Sequence, residues 1–437
     1  MRNSNGNFNL YRKYRSLVFI ASTILGGCAI NRPVDPLADQ CKLPTEAVKV
    51  VIADEASQQA IVRTDQSHPI SGGLIADALA RIARSKLANE GSNSRVTRTL
   101  VLSGGGQHGS FGSGFLKGMQ KSGKFHSYDI VTGVSTGALQ STFALLGDEN
   151  SPSDRILKAS DDFPPANSDQ RRTNLDDLVA GYTITNEATL YNEKGTSGII
   201  RGAAKGNLAP LSARLNTLIT AETLKAVKQA YSNGRRLFVA LLNYESGNTE
   251  IVDMTALAAR LLPDQSNFDL IKHCYNQVLI AASSEPIGAP PVVIDGKLYF
   301  DAGLRYGVFL KRFLGDATAI ADTVAPIRTD IIVNGDLNVD PSDDLFEKKF
   351  SALDIAGRGR KILVNQVYRF SVSEVIKPRG ARHVVRFASI RPSETDKNRP
   401  APKATFDPKY MKNMIKLGED RGAAGDWQPL DTLAAME

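Results

Sequence analysis

Three short segments, widely separated in the chain, hold residue types that could act on an acyl group. Gly133-Val134-Ser135-Thr136-Gly137 fits the G-x-S-x-G pattern. That spacing suits a nucleophile on a sharp strand-to-helix turn, where only glycine leaves room on both sides. Ser103-Gly104-Gly105-Gly106-Gln107-His108-Gly109 is a glycine loop, and such a loop exposes backbone N–H groups to an anion. Asp301-Ala302-Gly303 closes an apolar run and offers a carboxylate. Burial there would raise its pKa and make it a better base. Each segment also has a bland reading as a packing turn. The glycine loop has a third, because Gly104, Gly106 and Gly109 satisfy G-x-G-x-x-G and could belong to a dinucleotide-binding fold. Against this, the acidic residue at the right distance, Asp129, opens the second strand, whereas the fingerprint wants it at that strand's end.

A serine of this kind is usually paired with histidine. The five histidines are His68, His108, His126, His273 and His383. Only His383 follows Asp301, and it sits in an alternating strand-like run, 382–387. His273 falls inside an apparent helix, Asp269 to Ala282. A Ser-His-Asp triad could run only through His383. A dyad fits better, with Asp301 taking the proton of Ser135 and the N–H groups of Gly105, Gly106 and Thr136 holding the oxyanion. His108 is expected to add a side-chain donor beside that site. No Cys/His cluster has metal-ligand spacing, and no cofactor or calcium is expected.

The elements that must position these residues can be read from periodicity. Thr99 to Leu102 and Asp129 to Thr132 read as buried strands. Phe111 to Lys121 and Thr136 to Leu146 read as helices, the second ended by Gly147. Residues 236–254 read as two strands around the turn 245–248. Asp295-Gly296 is a hairpin signal between the apolar runs that lead to Asp301. Asp330 to Asn334 reads as another buried strand. Strands alternating with helices predict an α/β fold with a central, mostly parallel sheet and helices on both faces.

These segments resemble the patatin-like phospholipases, in the form found in bacterial lipoproteins. The resemblance rests on the glycine loop, the G-x-S-x-G serine and the aspartate motif without a histidine. It is clearest over residues 98–147 and 233–310. Residues 281–286 with Pro290-Pro291, residues 235–240, and 406–427 as a closing helix are similar too. It implies a patatin-like three-layer sandwich and lipid acyl hydrolysis of the phospholipase A or lysophospholipase type. It also implies a Ser135–Asp301 dyad and an oxyanion hole drawn from Gly104, Gly105, Gly106, His108, Gly109 and Thr136. Two positions depart from the pattern. His108 stands where the family has Lys or Arg, which would make the loop charge pH-dependent. Ala302 stands where the family has glycine, which would restrict the backbone beside the aspartate. That second departure motivates a different reading, a catalytically inert envelope lipoprotein that binds lipid or a partner through the same pocket.

The ends of the chain bear on location. Residues 1–27 are expected to be a targeting segment, with Arg2, Arg12, Lys13 and Arg15 before a ten-residue apolar stretch too short to span a bilayer. Leu25-Gly26-Gly27-Cys28 resembles a lipobox, which implies cleavage before Cys28 and its lipidation. That places the protein on the bacterial envelope membrane, and Ile30 favours the outer membrane under the sorting rule the resemblance implies. The 437 residues carry 53 basic and 46 acidic side chains, a net +7. Without 1–27 the balance falls to +3. Aromatic interleaving among basic residues is sparse, so nucleic acid is not an expected partner. Residues 28–97 read as a linker with a helix at Leu74 to Lys86, 98–390 as the catalytic domain, and 391–437 as a tail with a helix. Within the domain, 148–232 read as an insert that could shape a lipid pocket. The basic run 377–403 could meet anionic headgroups or be a solvated loop. Cys274, on an apolar helix face, is expected to be a buried free thiol, although a disulfide with Cys41 is permitted in an envelope compartment.

Overall fold

The computed structural model describes residues 32, 34–47, 78, 82, 96–155, 172–195, 198, 204–310, 326–335, 337, 352–376, 383–391, 393–394 and 405–428. The targeting segment with Cys28, most of the 74–86 helix and most of the 377–403 run lie outside the described residues.

Strands β1 (Thr45–Ala47), β2 (Thr97–Leu102), β3 (Ile130–Gly133), β6 (Arg236–Asn243), β7 (Thr249–Asp253), β8 (Val292–Ile294), β9 (Lys297–Asp301), β10 (Ile327–Val333) and β11 (His383–Ser389) form one sheet. Its order is β1-β7-β6-β3-β2-β10-β11, with β9 pairing both β6 and β8. The run from β6 through β3, β2 and β10 to β11 is parallel, and the pairings of β1, β7, β8 and β9 are antiparallel. A separate ribbon joins β4 (Asn192–Glu193) to β5 (Gly206–Asn207).

Side-chain alternation divides the central strands between two cores. Leu100, Leu102, Leu237, Val239 and Leu241 face one cluster, while Val101, Phe238, Ala240, Ile331 and Val333 face the other. The first is covered by α1 (Gly109–Lys121), α2 (Thr136–Leu146), α3 (Asn174–Tyr182), α4 (Ala209–Leu218), α5 (Ala221–Ser232), α6 (Met254–Ala259), α7 (Phe268–Ser283) and α9 (Pro408–Ala424). The second is covered by α8 (Ala352–Ile376) through Tyr368, Val372 and Val375, with Ala78 and Ile82. Because both faces are buried, the central strands read as continuous apolar runs. The architecture is the expected three-layer α/β sandwich, a mostly parallel central sheet with helices on both faces.

Two expectations change. Cys274 is not a free thiol: it is bonded to Cys41, 233 residues earlier. The segment expected as linker also supplies β1, which pairs with β7 at the sheet edge. Residues 148–232 hold α3, α4 and α5. Thr173 and Thr220 cap α3 and α5, each accepting from the N–H three residues on. No helix among the described residues is long and apolar enough to cross a membrane.

Candidate active site

Strand β6 brings the serine and the aspartate together. Along one edge, residues 236–239 pair with β3, which ends at Gly133. Residues 241–243 pair with β9, which arrives antiparallel and ends at Asp301 opposite Leu241. Both β7 and β9 pair with Leu241 and Leu242, so β9 must share the β3 edge. The C-terminal ends of β3 and β9 therefore meet along one strand.

Ser135 lies on the turn out of β3, with φ 54° and ψ −125°, and is the N-cap of α2. A non-glycine residue there is strained by about 1–3 kcal/mol, a cost that functional sites commonly carry. Its hydroxyl makes no capping bond. The flanking glycines are required by close approach: a Cβ on Gly133 would lie 2.5 Å from the Gly137 carbonyl oxygen, and one on Gly137 would overlap that of Leu102.

Asp301 is 6% exposed. Burial raises its pKa to about 6, against the opposing effect of hydrogen bonds from the Ser135 hydroxyl and the Gly303 N–H. The Gly303 N–H donates to Oδ1 at 2.7 Å. Ala302 is fully buried and its φ is not positive, so this position does not need glycine. The departure at Ala302 leaves the local geometry intact.

The glycine loop follows β2. Ser103 Oγ accepts from the Asn334 N–H at 2.7 Å and donates to the Gly104 carbonyl at 2.7 Å. Asn334 Nδ2 donates to the Ser103 carbonyl and to Gln140 Oε1, each at 2.9 Å, and Gln140 Nε2 donates to the Gly109 carbonyl at 2.6 Å. All three side chains are fully buried. This network locks the loop against α2 and β10. Gly105, at φ 147°, directs the chain past Asn334.

The expected oxyanion donors divide into two groups. The Gly104 N–H is taken by the Gly307 carbonyl, and the Gly109 N–H turns back to Gln107 and Gly106. The Nδ1 of His108 is engaged by Tyr410 Oη at 2.6 Å. Desolvation lowers its pKa to about 4, so the pH-dependent loop charge expected near neutrality does not arise. The N–H groups of Gly105, Gly106 and Thr136 have no acceptor among the described residues and lie around the N-terminus of α2.

The other histidines are elsewhere. His383 begins β11 in register with Ile327, which itself pairs with Thr97, and its Nε2 lies 2.9 Å from Thr329 Oγ1. It sits at the end of the sheet opposite Ser135, which removes the triad. His273 pairs with Asp35 at 2.9 Å. His68 lies outside the described residues. Asp129 accepts from the Arg98 N–H at 2.8 Å at the start of β3, away from the glycine loop, so the dinucleotide pattern is not completed. No group of metal-ligating side chains occurs among the described residues.

Two neighbours of the site carry no signal in the sequence. Tyr368 of α8 is buried against Gly104, Gly303 and Gly307, and burial together with the Asp301 charge raises its pKa. Tyr182 of α3 donates to the Thr136 carbonyl at 2.9 Å and also contacts Thr136 Oγ1. No local pattern marks either tyrosine, because each reaches the site from a distant helix.

An apolar cavity of about 760 Å³, open mouth included, begins at Ser135. Gly106, Ser135, Thr136, Phe406 and Met411 line it, with Leu139 and Phe143 of α2 and leucines of α3 and α4. The insert does line a pocket beside the serine. A strained serine, a buried carboxylate, free N–H groups and an apolar cavity can together support acyl transfer from an ester with a hydrocarbon chain.

Residues 100–314 match the family model for patatin-like phospholipase, and this segment holds both Ser135 and Asp301. The match supports lipid acyl hydrolysis in broad terms. No curated protein matches the sequence. Among solved structures, VipD from Legionella pneumophila is similar at 12% identity, over 76% of this chain and 67% of that one, with a TM-score of 0.29.

Proposed function

We propose that the protein is a serine-dependent lipid ester hydrolase working through a Ser135–Asp301 dyad. Ser135 Oγ attacks the ester carbonyl while its proton passes to Asp301. The N–H groups of Gly105, Gly106 and Thr136 hold the developing oxyanion. Asp301 then gives the proton to the leaving alcohol. It next takes one from water as that water attacks the acyl-enzyme, and returns it to Ser135 Oγ as the ester bond breaks and the fatty acid leaves. The observation that carries this reading is a serine strained on the turn out of β3, with a buried carboxylate of raised pKa brought to it by β9, at the mouth of an apolar cavity. The substrate class is phospholipid or another lipid ester.

A fluorophosphonate probe tests it. The wild-type protein should be labelled, and Ser135→Ala should lose both labelling and ester hydrolysis, the latter by several orders of magnitude. Wild-type turnover in Ser135→Ala would sink the mechanism.

We also propose that lipidation at Cys28 anchors the mature chain to the bacterial envelope, on its outer membrane. Mass spectrometry of the mature N-terminus tests this, and an unmodified Cys28 would reject it.

A further inference from the structure

The cavity has a direction and a closed end. Ser135, Leu139 and Phe143 are spaced i, i+4, i+8, so they lie along one face of α2. Helix α3 runs the opposite way. Tyr182 at its C-terminus touches Thr136 beside the serine, while Asn174 and Asp177 near its N-terminus bind Arg155. Helix α4 runs parallel to α2. Arg214 donates to the Ala180 and Thr183 carbonyls at the mouth, and the Leu218 carbonyl accepts from Arg155 Nε at 2.8 Å at the far end. The three helices thus form a channel from Ser135 to Phe143 and Leu218.

Behind that end lies Arg155, only 3% exposed, with its guanidinium carbon 5.1 Å from the Phe143 ring centroid. Arg155 is paired with Asp177 and bonded to Asn174, Thr223 and Leu218. A hydrocarbon chain cannot pass Phe143 without breaking this buried charged network, which strongly favours staying intact. The eight residues from Ser135 to Phe143 rise about 12 Å at about 1.5 Å each. An extended chain with carbon–carbon bonds of about 1.5 Å advances about 1.3 Å per carbon.

Resting on the hydrolase reading above, we infer that this channel takes the acyl chain of the substrate and selects medium chains, about eight to ten carbons long, with Phe143 setting the limit. The carbonyl carbon sits at Ser135 Oγ, and the terminal methyl meets the Phe143 ring. Longer chains leave carbons outside the channel or force Phe143 onto Arg155.

The test is kcat/KM for p-nitrophenyl esters from C4 to C16, presented in detergent mixed micelles at a constant surface fraction. Wild-type protein should favour C8–C10 over C16 by about tenfold or more, the scale at which apolar pockets discriminate single methylenes. Phe143→Ala opens the floor and should raise the C14–C16 values relative to C8 by about tenfold. Leu139→Trp fills the channel halfway, where the side chain is partly exposed and a larger group can be carried. It should reduce C8–C10 turnover by a larger factor than C4 turnover, which keeps the inference testable if Phe143→Ala fails to fold. A profile flat to C16, or unmoved by Leu139→Trp, overturns the length limit and leaves the Ser135 mechanism standing. No hydrolysis at any length, with no probe labelling, overturns both.

Discussion

Asp301 serves opposing demands at the level of one side chain. A base for a serine hydroxyl gains from a raised pKa, and burial supplies it. The same burial disfavours the charged form in the folded protein. The folded value is about 6, and the ordinary value is 3.8. The folded protein therefore binds more protons between those values, and its stability falls as pH rises through that window. Above the window the charged carboxylate costs at most about 3 kcal/mol relative to the unfolded chain. Asp301→Asn removes that charge. It should reduce turnover nearly as far as Ser135→Ala, and it should raise the melting temperature at pH 7.5, with the gain shrinking as pH falls toward 3.8. In the wild type, kcat/KM should fall on the acid side with a midpoint near 6, as Asp301 is protonated in the free enzyme. A pH–rate profile and thermal denaturation at several pH values check this. An acid limb at 4, with no stability gain in the variant, would mean that Asp301 is not desolvated, and wild-type turnover in Asp301→Asn would mean that it is not the base. His108, whose pKa burial lowers to about 4, adds no ionisation near neutrality.

The elements that hold these residues differ in how far a sequence reveals them. Helix α2 and the β8–β9 hairpin were legible because glycine spacing and apolar runs are local signals. The amide network of Ser103, Gln140 and Asn334 was not, because it joins three elements at sequence separations set by topology alone. The partner of His108 was not legible for the same reason: its Nδ1 meets the hydroxyl of Tyr410, 302 positions away. The contact of α1 with α9 shows how a local glycine can have a distant cause. A Cβ on Gly114 or Gly118 would overlap the backbone of Ile415 or Glu419, and one on Gly418 or Gly422 would overlap that of Phe111 or Phe115. The two helices touch backbone to backbone, and this contact seats Tyr410 and Met411 over the glycine loop. On α8, a Cβ at Gly359 would meet nothing within 4 Å. One substitution should therefore have opposite signs at the two places. Gly118→Ala should destabilise by about 1–3 kcal/mol through overpacking. Gly359→Ala should stabilise by up to about 1 kcal/mol through helix propensity. Urea denaturation of both variants decides it. Equal effects would mean that α1 and α9 are not held this closely.

Across the whole molecule, the N-terminal segment acts as a clasp on the part that carries Asp301. Cys41 is bonded to Cys274 of α7, Asp35 pairs with His273 of the same helix, and Asp295 at the β8–β9 turn accepts from the Lys42 and Leu43 N–H groups at 2.6 and 2.7 Å. Apolar spacing on α7 shows only that Cys274 is buried. It cannot show that the chain returns from 233 residues away to bond it, and the expectation of a free thiol failed there. Closing a loop of that length removes much of the unfolded chain's freedom, about 5 kcal/mol in the chain-entropy account. The bond lies away from Ser135 and the glycine loop, so its loss should lower stability first. Reduction with dithiothreitol, or Cys41→Ser, should lower unfolding stability by roughly 2–5 kcal/mol, the range measured when native disulfides are removed. Turnover at low temperature should persist as long as the hydrogen bonds from Lys42 and Leu43 hold the hairpin. Thermal denaturation with and without reductant, followed by an ester assay at 10 °C, separates the two effects. An unchanged melting temperature would show that the clasp is held by its hydrogen bonds and ion pair alone. A loss of turnover equal to the loss of fold would show that Asp301 depends on the covalent bond directly. Disulfides persist in oxidising compartments, so a bond formed in the protein isolated from cells would favour the envelope location proposed from Cys28. A fully reduced pair would count against it.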